Sequence, residues 1–212
     1  MKEIRRILDG ENKEADSKKV EGNGKDKLTV ESVGNHVYFY AYVDSDRCLA
    51  LIKQLREIDT AYRNEYVSRD LGDLDYPQTP IWLHVQSGGG GVFAALALID
   101  QLKRIKTPIF SIVEGYSASA ATLISMSCTK RFIMPSAYML IHQLSSVSWG
   151  TYEEIKDEVH LLDMLMDTLT GFYKTNSKLT EKRIKDLLKR DSWFNAKECI
   201  EIGLADEILD KE

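Results

Sequence analysis

Strand-like and helix-like segments alternate through the middle of this chain, and this alternation constrains the fold more than any other feature. Aromatic and β-branched residues fill 37–43, 81–85 and 109–113, and each run precedes a segment that is helical by its capping, apolar spacing or small residues. Further strands are predicted at 131–133 and 138–141. The alternation predicts parallel βαβ units with right-handed crossovers, and therefore an α/β fold.

A run of four glycines, 88–91, preceded by Ser87, follows the second of these strands and precedes a helix predicted at 92–103. Glycines at such a position let backbone N–H groups approach a ligand closely. The run lacks the Gly-Lys-Ser/Thr of a P-loop, which disfavours a phosphate cradle of that type. Three interpretations stay open: a relaxed dinucleotide fingerprint with Glu114 as the ribose-binding acid, a tight turn alone, or one half of an oxyanion hole.

Three side chains offer a nucleophile, a base and an orienting acid. Ser119 lies in the small-residue segment 115–121, at the predicted start of a helix. His142 ends a predicted strand, and Asp191 closes a charged helix. A serine hydroxyl attacks well only when a base takes its proton, and a carboxylate aims that base. Ser117 is a rival nucleophile, and a serine at a helix start can also be a simple N-cap; the α/β-hydrolase elbow GxSxG is absent.

Composition narrows the class of protein. At 212 residues and 43% hydrophobic, the chain is long enough for one domain with a full core. Its net charge of -5 offers no basic patch for nucleic acid. No apolar run reaches the length of a membrane span, and residues 1–6 lack the apolar centre of a signal peptide, so we expect a cytoplasmic protein. Cys48, Cys128 and Cys199 are scattered, which predicts neither disulfides nor a zinc site.

The two ends of the chain differ in character. Residues 1–27 contain 15 charged side chains and predict a mobile arm ahead of one domain over 28–212. A polar loop is predicted at 68–79. From 152 to 173 apolar residues recur at helical spacing, and the methionines of this long helix pack either in the core or in a subunit interface. Two shorter helices follow, and His160 is expected on the surface of the long one.

The chain resembles the Clp-type serine peptidases, the family of the ATP-dependent Clp protease proteolytic subunit. The family's Asn-Ser-Pro-Gly-Gly loop is similar to 86–90, and its Gly-x-Ala-Ala-Ser-x-Gly-Ala nucleophile segment to 115–122. Its Met-Ile-His-Gln phrase is similar to 140–143, and its Arg-Asp phrase to 190–191. The closing Glu-x-Gly-Leu-x-Asp stands complete at 201–206, so several spaced motifs occur in the family's order.

The resemblance implies a role for each candidate residue. Ser119 would be the nucleophile, His142 the general base and Asp191 its orienter. Gly90 and Ala120 would donate the N–H groups of the oxyanion hole. The resemblance implies no metal or other cofactor in this chain. ATP would be used only by a partner unfoldase.

The resemblance also implies a fold and an assembly. The fold would be a ClpP/crotonase-like α/β spiral of ββα-type units, with a projecting helical handle near 150–175. Copies of the chain would form stacked rings whose sites face an inner chamber. An AAA+ unfoldase would feed polypeptide substrates into it.

Some positions depart from the family pattern. Gly88 replaces the family's proline, and Leu144 follows Gln143 where the family has another proline. Trp82 and His84 stand where housekeeping members carry tyrosines of the unfoldase-docking cleft. These departures leave open whether an unfoldase docks on this chain. The pattern also resembles that of phage-encoded Clp-like peptidases, some of which mature capsid proteins. A crotonase-type acyl-CoA enzyme and a catalytically silent ring scaffold are the remaining alternatives.

Overall fold

The computed structural model describes residues 30–68 and 79–210, so the predicted arm at 1–27 and most of the loop at 68–79 lie outside the described residues. The described chain forms fourteen elements. In order they are β1 (Val30–Val33), β2 (His36–Phe39), α1 (Ser45–Ser68), β3 (Ile81–Ser87), α2 (Val92–Leu102), β4 (Ile109–Ala118), α3 (Ala120–Met126), β5 (Lys130–Ile133), β6 (Tyr138–Ile141), α4 (Tyr152–Asn176), α5 (Glu181–Leu188), β7 (Ser192–Asn195), α6 (Ala196–Ile202) and β8 (Glu207–Ile208).

The strands form one mixed sheet of eight strands. Its order is β1-β2-β3-β4-β5-β8, with β6 pairing β4 and β7 pairing β6. The central strands β2, β3, β4 and β5 are parallel, as are β5 with β8 and β4 with β6. The prediction of parallel βαβ units is therefore confirmed. The short strands β1, β7 and β8 were not predicted, and two of them pair antiparallel, β1 with β2 and β7 with β6.

Strand β4 is longer than the sequence predicted. We expected it to end at Val113 and to turn at Gly115 into a helix, but it runs on to Ala118. Gly115 adopts φ +63, a conformation that glycine tolerates, and bends the strand without ending it. The half before the bend pairs with β5 and the half after it with β6. The extra length places Ser119 immediately after the strand.

Strand β2 is shorter than predicted, ending at Phe39 and not at 43. The segment after it leaves its place in the sheet and binds the glycine run instead. Val43 donates its N–H to the carbonyl of Gly89 at 2.8 Å, and Gly91 donates to the carbonyl of Val43 at 2.7 Å. A stretch with strand-like composition therefore supports the loop that borders the candidate site.

Helices α1, α2 and α3 pack on one face of the sheet, and their apolar side chains share one core with alternate residues of β2 and β3 such as Val37 and Leu83. Helix α4 occupies most of the segment that the resemblance assigns to the handle, and we call it the handle helix. Its first three turns bury no side chain, whereas Leu165, Leu169 and Tyr173 are buried near its end. His160 is exposed, as predicted. Within the described ranges, no helix has both the length and the apolar composition that a membrane crossing requires.

The opposite side chains of β2, β3 and β4 form a polar and aromatic face. His84 is 6% exposed and lies 2.9 Å from His36 between ring nitrogens, and 2.8 Å from a carboxylate oxygen of Glu114. The other oxygen of Glu114 accepts from the Tyr40 hydroxyl. Burial and this carboxylate raise the pKa of Tyr40 well above its usual range. Because Glu114 is engaged in this chain of contacts, it is not free to bind a ribose beside the glycine run.

Arg131 on β5 ties together three distant parts of the chain. Its guanidinium donates to both oxygens of Asp206, to the carbonyl of Asn176 at 2.6 Å and to that of Gly203 at 3.0 Å. Partial burial opposes ionisation of Asp206, but the hydrogen bonds and charge of Arg131 outweigh it and lower the pKa of this carboxyl.

We expect Arg131→Met to lower the free energy of unfolding by about 3 kcal/mol, because it leaves two backbone carbonyls without their donor and the Asp206 carboxylate without its cationic partner. The part of this stability that comes from Asp206 should be full above about pH 4, the unfolded pKa of an aspartate, and lost as pH falls through the depressed folded value, whereas the bonds to the two carbonyls should persist. Urea unfolding at neutral and acid pH measures both effects. Glu207→Gln is the control, because its pair with Lys130 is exposed and should contribute less than about 1 kcal/mol.

Candidate active site

Ser119 occupies a strained turn between β4 and α3. Its backbone has φ +55 and ψ -127. Among the described residues it is the only one other than glycine with a positive φ, a conformation that costs free energy for a residue with a side chain. The turn is held by backbone contacts: Ser119 donates its N–H to the carbonyl of Leu140 at 3.0 Å, and its own carbonyl accepts from Thr122 N–H at 3.0 Å. The Ser119 side chain makes no capping hydrogen bond, so the simple N-cap interpretation is wrong.

The rival serine has a different environment. Ser117 is fully buried, and its hydroxyl faces that of Ser125 at 3.5 Å. It does not line the cavity that Ser119 and His142 share. The structure therefore favours Ser119 over Ser117 as the exposed hydroxyl of this segment.

His142 and Asp191 come together because β6 and β7 are antiparallel neighbours. Ile141 and Ser192 are partners in the register of these strands, so His142 and Asp191 are adjacent where the pair ends. Nδ1 of His142 lies 3.3 Å from Oδ1 of Asp191. The His142 side chain is 25% exposed and that of Asp191 52%, so this contact is open to solvent on the acid's side.

Ser119 and His142 line the same cavity, of about 340 Å³, together with Tyr42, Gly90 and Leu144. No hydrogen bond joins the Ser119 hydroxyl to His142 in the described part of the chain. Such contacts are often long in sites without substrate and tighten when it binds. The two side chains are thus placed to face one reacting group in the cavity.

A smaller recess continues from this cavity behind Ser119. Its wall includes Ala120 and apolar side chains of the surrounding helices and of the loop after β6. These are Val92, Leu123, Leu144, Leu169 and Tyr173.

Gly90 of the glycine run lines the cavity, and its backbone conformation is one that glycine allows. Gly89 and Gly90 have φ of +92 and +144, values that side chains other than glycine rarely adopt. Among hydrogen bonds within the described residues, neither Gly90 nor Ala120 donates its N–H to any acceptor. Gly90 and Ala120 line the same recess as Ser119, and unpaired backbone donors of this kind are suited to stabilising an oxyanion.

The three cysteines are free thiols in the described part of the chain. Cys48, Cys128 and Cys199 are not joined in disulfides. Burial raises the pKa of Cys128 and of Cys199 to about 12, so neither is a thiolate at neutral pH. Over residues 30–68 and 79–210, no group of three His, Cys, Asp or Glu side chains could hold a metal ion.

Comparison with known proteins matches the Clp protease family over residues 35–212. The ATP-dependent Clp protease proteolytic subunit 2 of Treponema denticola is 34% identical over 131 residues, 61% of this chain and 66% of the relative. Subunit 2 of Tropheryma whipplei is 30% identical over 154 residues, 71% of this chain and 86% of the relative. The chain therefore spans about two thirds or more of the length of these relatives.

A solved structure of a ClpP1 variant from Listeria monocytogenes superposes with a TM-score of 0.71 and covers 84% of this chain and 93% of its own. Its sequence identity is 22%, so this likeness speaks for the fold alone. The family match and the names of these relatives indicate a protein of the serine-type peptidase class. Within that class, the chain belongs to the Clp protease family. The predicted ClpP/crotonase-like α/β fold and the family resemblance are both confirmed.

Proposed function

We propose that this chain is a serine endopeptidase that acts inside a ring-shaped oligomer, as the proteolytic subunit of an ATP-dependent Clp-type protease. The observation that carries the proposal is the shared cavity of Ser119 and His142, with Asp191 3.3 Å behind the imidazole. The relatives are named as proteolytic subunits, which supports the same reaction here.

In the proposed reaction, Oγ of Ser119 attacks the carbonyl carbon of a peptide bond. Nδ1 of His142 faces Asp191, which leaves Nε2 to take the serine proton and to return it to the leaving amine. Asp191 holds the tautomer and stabilises the imidazolium. Water then attacks the acyl-enzyme: His142 takes a proton from the water and returns it to Oγ of Ser119, which releases the new carboxyl end of the substrate. The proposed reaction needs no metal or cofactor in this chain.

The negative oxygen that forms during each attack would be held by the N–H groups of Gly90 and Ala120. Both donors are free in the described structure and flank Ser119. Donors fixed in advance of the reaction stabilise developing charge without a cost of reorganisation, and removal of one such donor typically slows an enzyme by about 10²–10³-fold.

Exposed apolar side chains support assembly with further copies of the chain. Val147 and Trp149 are 99% and 100% exposed, and Tyr152, Val159 and Met164 on or beside the handle are more than half exposed. A chain that remained alone would rarely expose so many apolar groups together. The proposal also includes polypeptide substrates and an AAA+ unfoldase that consumes the ATP. It places the protein in the cytoplasm, where the thiols stay reduced.

A second candidate is a Clp-like peptidase that works without an unfoldase, as in capsid maturation. It is favoured by His84, which is buried between His36 and Glu114 where the family's docking cleft has a tyrosine. Degradation of a folded, tagged protein in the presence of a Clp unfoldase and ATP distinguishes the two. Cleavage of unfolded chains alone supports the second candidate.

Labelling with a fluorophosphonate, mapped by peptide mass spectrometry, tests the proposed reaction. We expect an adduct on Ser119 in the wild-type protein and in the control Ser117→Ala. His142→Ala should slow labelling by about 10²–10⁴-fold, because the base no longer takes the serine proton.

A folded, assembled protein without adduct on Ser119 would contradict the proposal. The silent ring scaffold would then be the better interpretation, or the acyl-CoA enzyme if CoA binds tightly.

A further inference from the structure

Tyr173 connects the handle helix to the turn that carries Ser119. Its hydroxyl oxygen lies 2.6 Å from Oγ1 of Thr122. Oγ1 of Thr122 in turn donates to the carbonyl oxygen of Ser119 at 2.6 Å. Because the single proton of Thr122 is used on Ser119, the Tyr173 hydroxyl must be the donor in the other bond. The chain of donation therefore runs from α4 through α3 to Ser119.

This chain of hydrogen bonds ends on a peptide unit that matters for the reaction. The Ser119 carbonyl belongs to the same planar unit as the Ala120 N–H, and in a trans peptide the two groups point in opposite directions. Two hydrogen bonds from Thr122 hold the carbonyl, one from its N–H and one from its hydroxyl. Fixing the oxygen on one side therefore aims the N–H on the other side.

Both hydroxyls are withdrawn from water. Thr122 is 0% exposed and Tyr173 2%. Burial raises the pKa of Tyr173 to about 12, against the opposing effect of its bond to Thr122, so the phenol stays protonated and remains a donor at working pH. If either partner is lost, the other hydroxyl loses a buried hydrogen bond, and the orientation of the peptide unit is held less firmly.

We infer that Tyr173 is a positioning residue, which acts through Thr122 to aim the Ala120 N–H at the oxyanion. The inference rests on the proposed function, because it assigns Tyr173 to the oxyanion hole of that site. It also means that the site is fully formed only while the last turns of α4 are seated against α3. Tyr173 need not touch the reacting atoms for this role.

The conservative variant Tyr173→Phe tests the inference. The ring still lines the recess, so we expect an unchanged KM for a small peptide but a kcat and a Ser119 labelling rate lower by about threefold to tenfold, the effect of one hydrogen bond. Thr122→Val should lower both at least as much, and Thr122→Ser should restore them. The double variant should be no slower than Thr122→Val alone, since both changes break one chain of contacts. Tyr152→Phe, on the exposed start of α4, is the control.

Amide hydrogen exchange of residues 120–123 provides a readout that does not depend on activity. It should quicken in Tyr173→Phe and not in Tyr152→Phe. Wild-type exchange together with a wild-type labelling rate in Tyr173→Phe would overturn the inference. A wild-type protein without adduct on Ser119 would count against the proposed function instead, and amide exchange would still decide whether Tyr173 holds this peptide unit.

Discussion

Ser119→Ala is expected to lower peptide hydrolysis by about three to six orders of magnitude, because it removes the nucleophile and leaves only binding and oxyanion stabilisation. The fold should survive. Alanine has the same Cβ at φ +55, and the Ser119 hydroxyl makes no hydrogen bond within the described residues. We therefore expect the free energy of unfolding to change by less than about 1 kcal/mol. Hydrolysis of a fluorogenic peptide and urea unfolding measure the two effects.

Ser145→Ala is the matched control for this experiment, since Ser145 lines the same cavity and is exposed. Its turnover should stay within a few-fold of the wild type. Full activity of Ser119→Ala, in a preparation free of contaminating peptidases, would show that another residue is the nucleophile.

The second large effect is expected at Gly89, where the glycine run contacts the serine turn. A Cβ there would lie 2.6 Å from the carbonyl oxygen of Ala118 and 2.7 Å from Cβ of Ser119, at φ +92. Both are atoms fixed to the backbone, so neither can move aside alone. We expect Gly89→Ala to cost about 3 kcal/mol or more of stability, through overpacking and backbone strain together. It should also displace the neighbouring Gly90 N–H and abolish labelling of Ser119.

Gly34→Ala separates strain from overpacking. Gly34 has φ +61, but no atom lies within 4 Å of a Cβ placed there. This variant should lose only about 1 kcal/mol, the cost of a left-handed residue. If urea unfolding shows the same loss of unfolding free energy for Gly89→Ala and for Gly34→Ala, the glycine run and the serine turn do not pack as described.

The elements that position the site differ in how far a sequence can reveal them. The strands that lead to the glycine run and to His142 have strong local signals, and both were predicted. The strand β7 has only four residues, with alternating half-buried and exposed side chains, and gives no such signal. Its pairing with β6 is nevertheless what brings Asp191 to His142. That contact was expected from the family resemblance and not from periodicity.

Contacts between side chains that are far apart in the sequence were the main features of the site that could not be predicted. Tyr173 fits the apolar spacing of a long helix, and nothing near it in the sequence indicates that its hydroxyl meets Thr122, 51 positions earlier. His84 was singled out only as a departure from the tyrosines of the family's docking cleft, and its burial between His36 and Glu114 was not predicted. Such pairs depend on the register between elements, which local patterns do not contain.

The change of partner along β4 has a practical consequence for engineering this chain. Residues 110–113 of the strand pair with β5, and residues 116–118 pair with β6, on either side of the bend at Gly115. The first half thus belongs to the hydrogen-bonded network that ends at β8, and the second half to the strand that leads to His142. The bend marks a natural border: libraries designed to improve expression or heat tolerance can be confined to the β5–β8 side, while the groups that react keep their strand register.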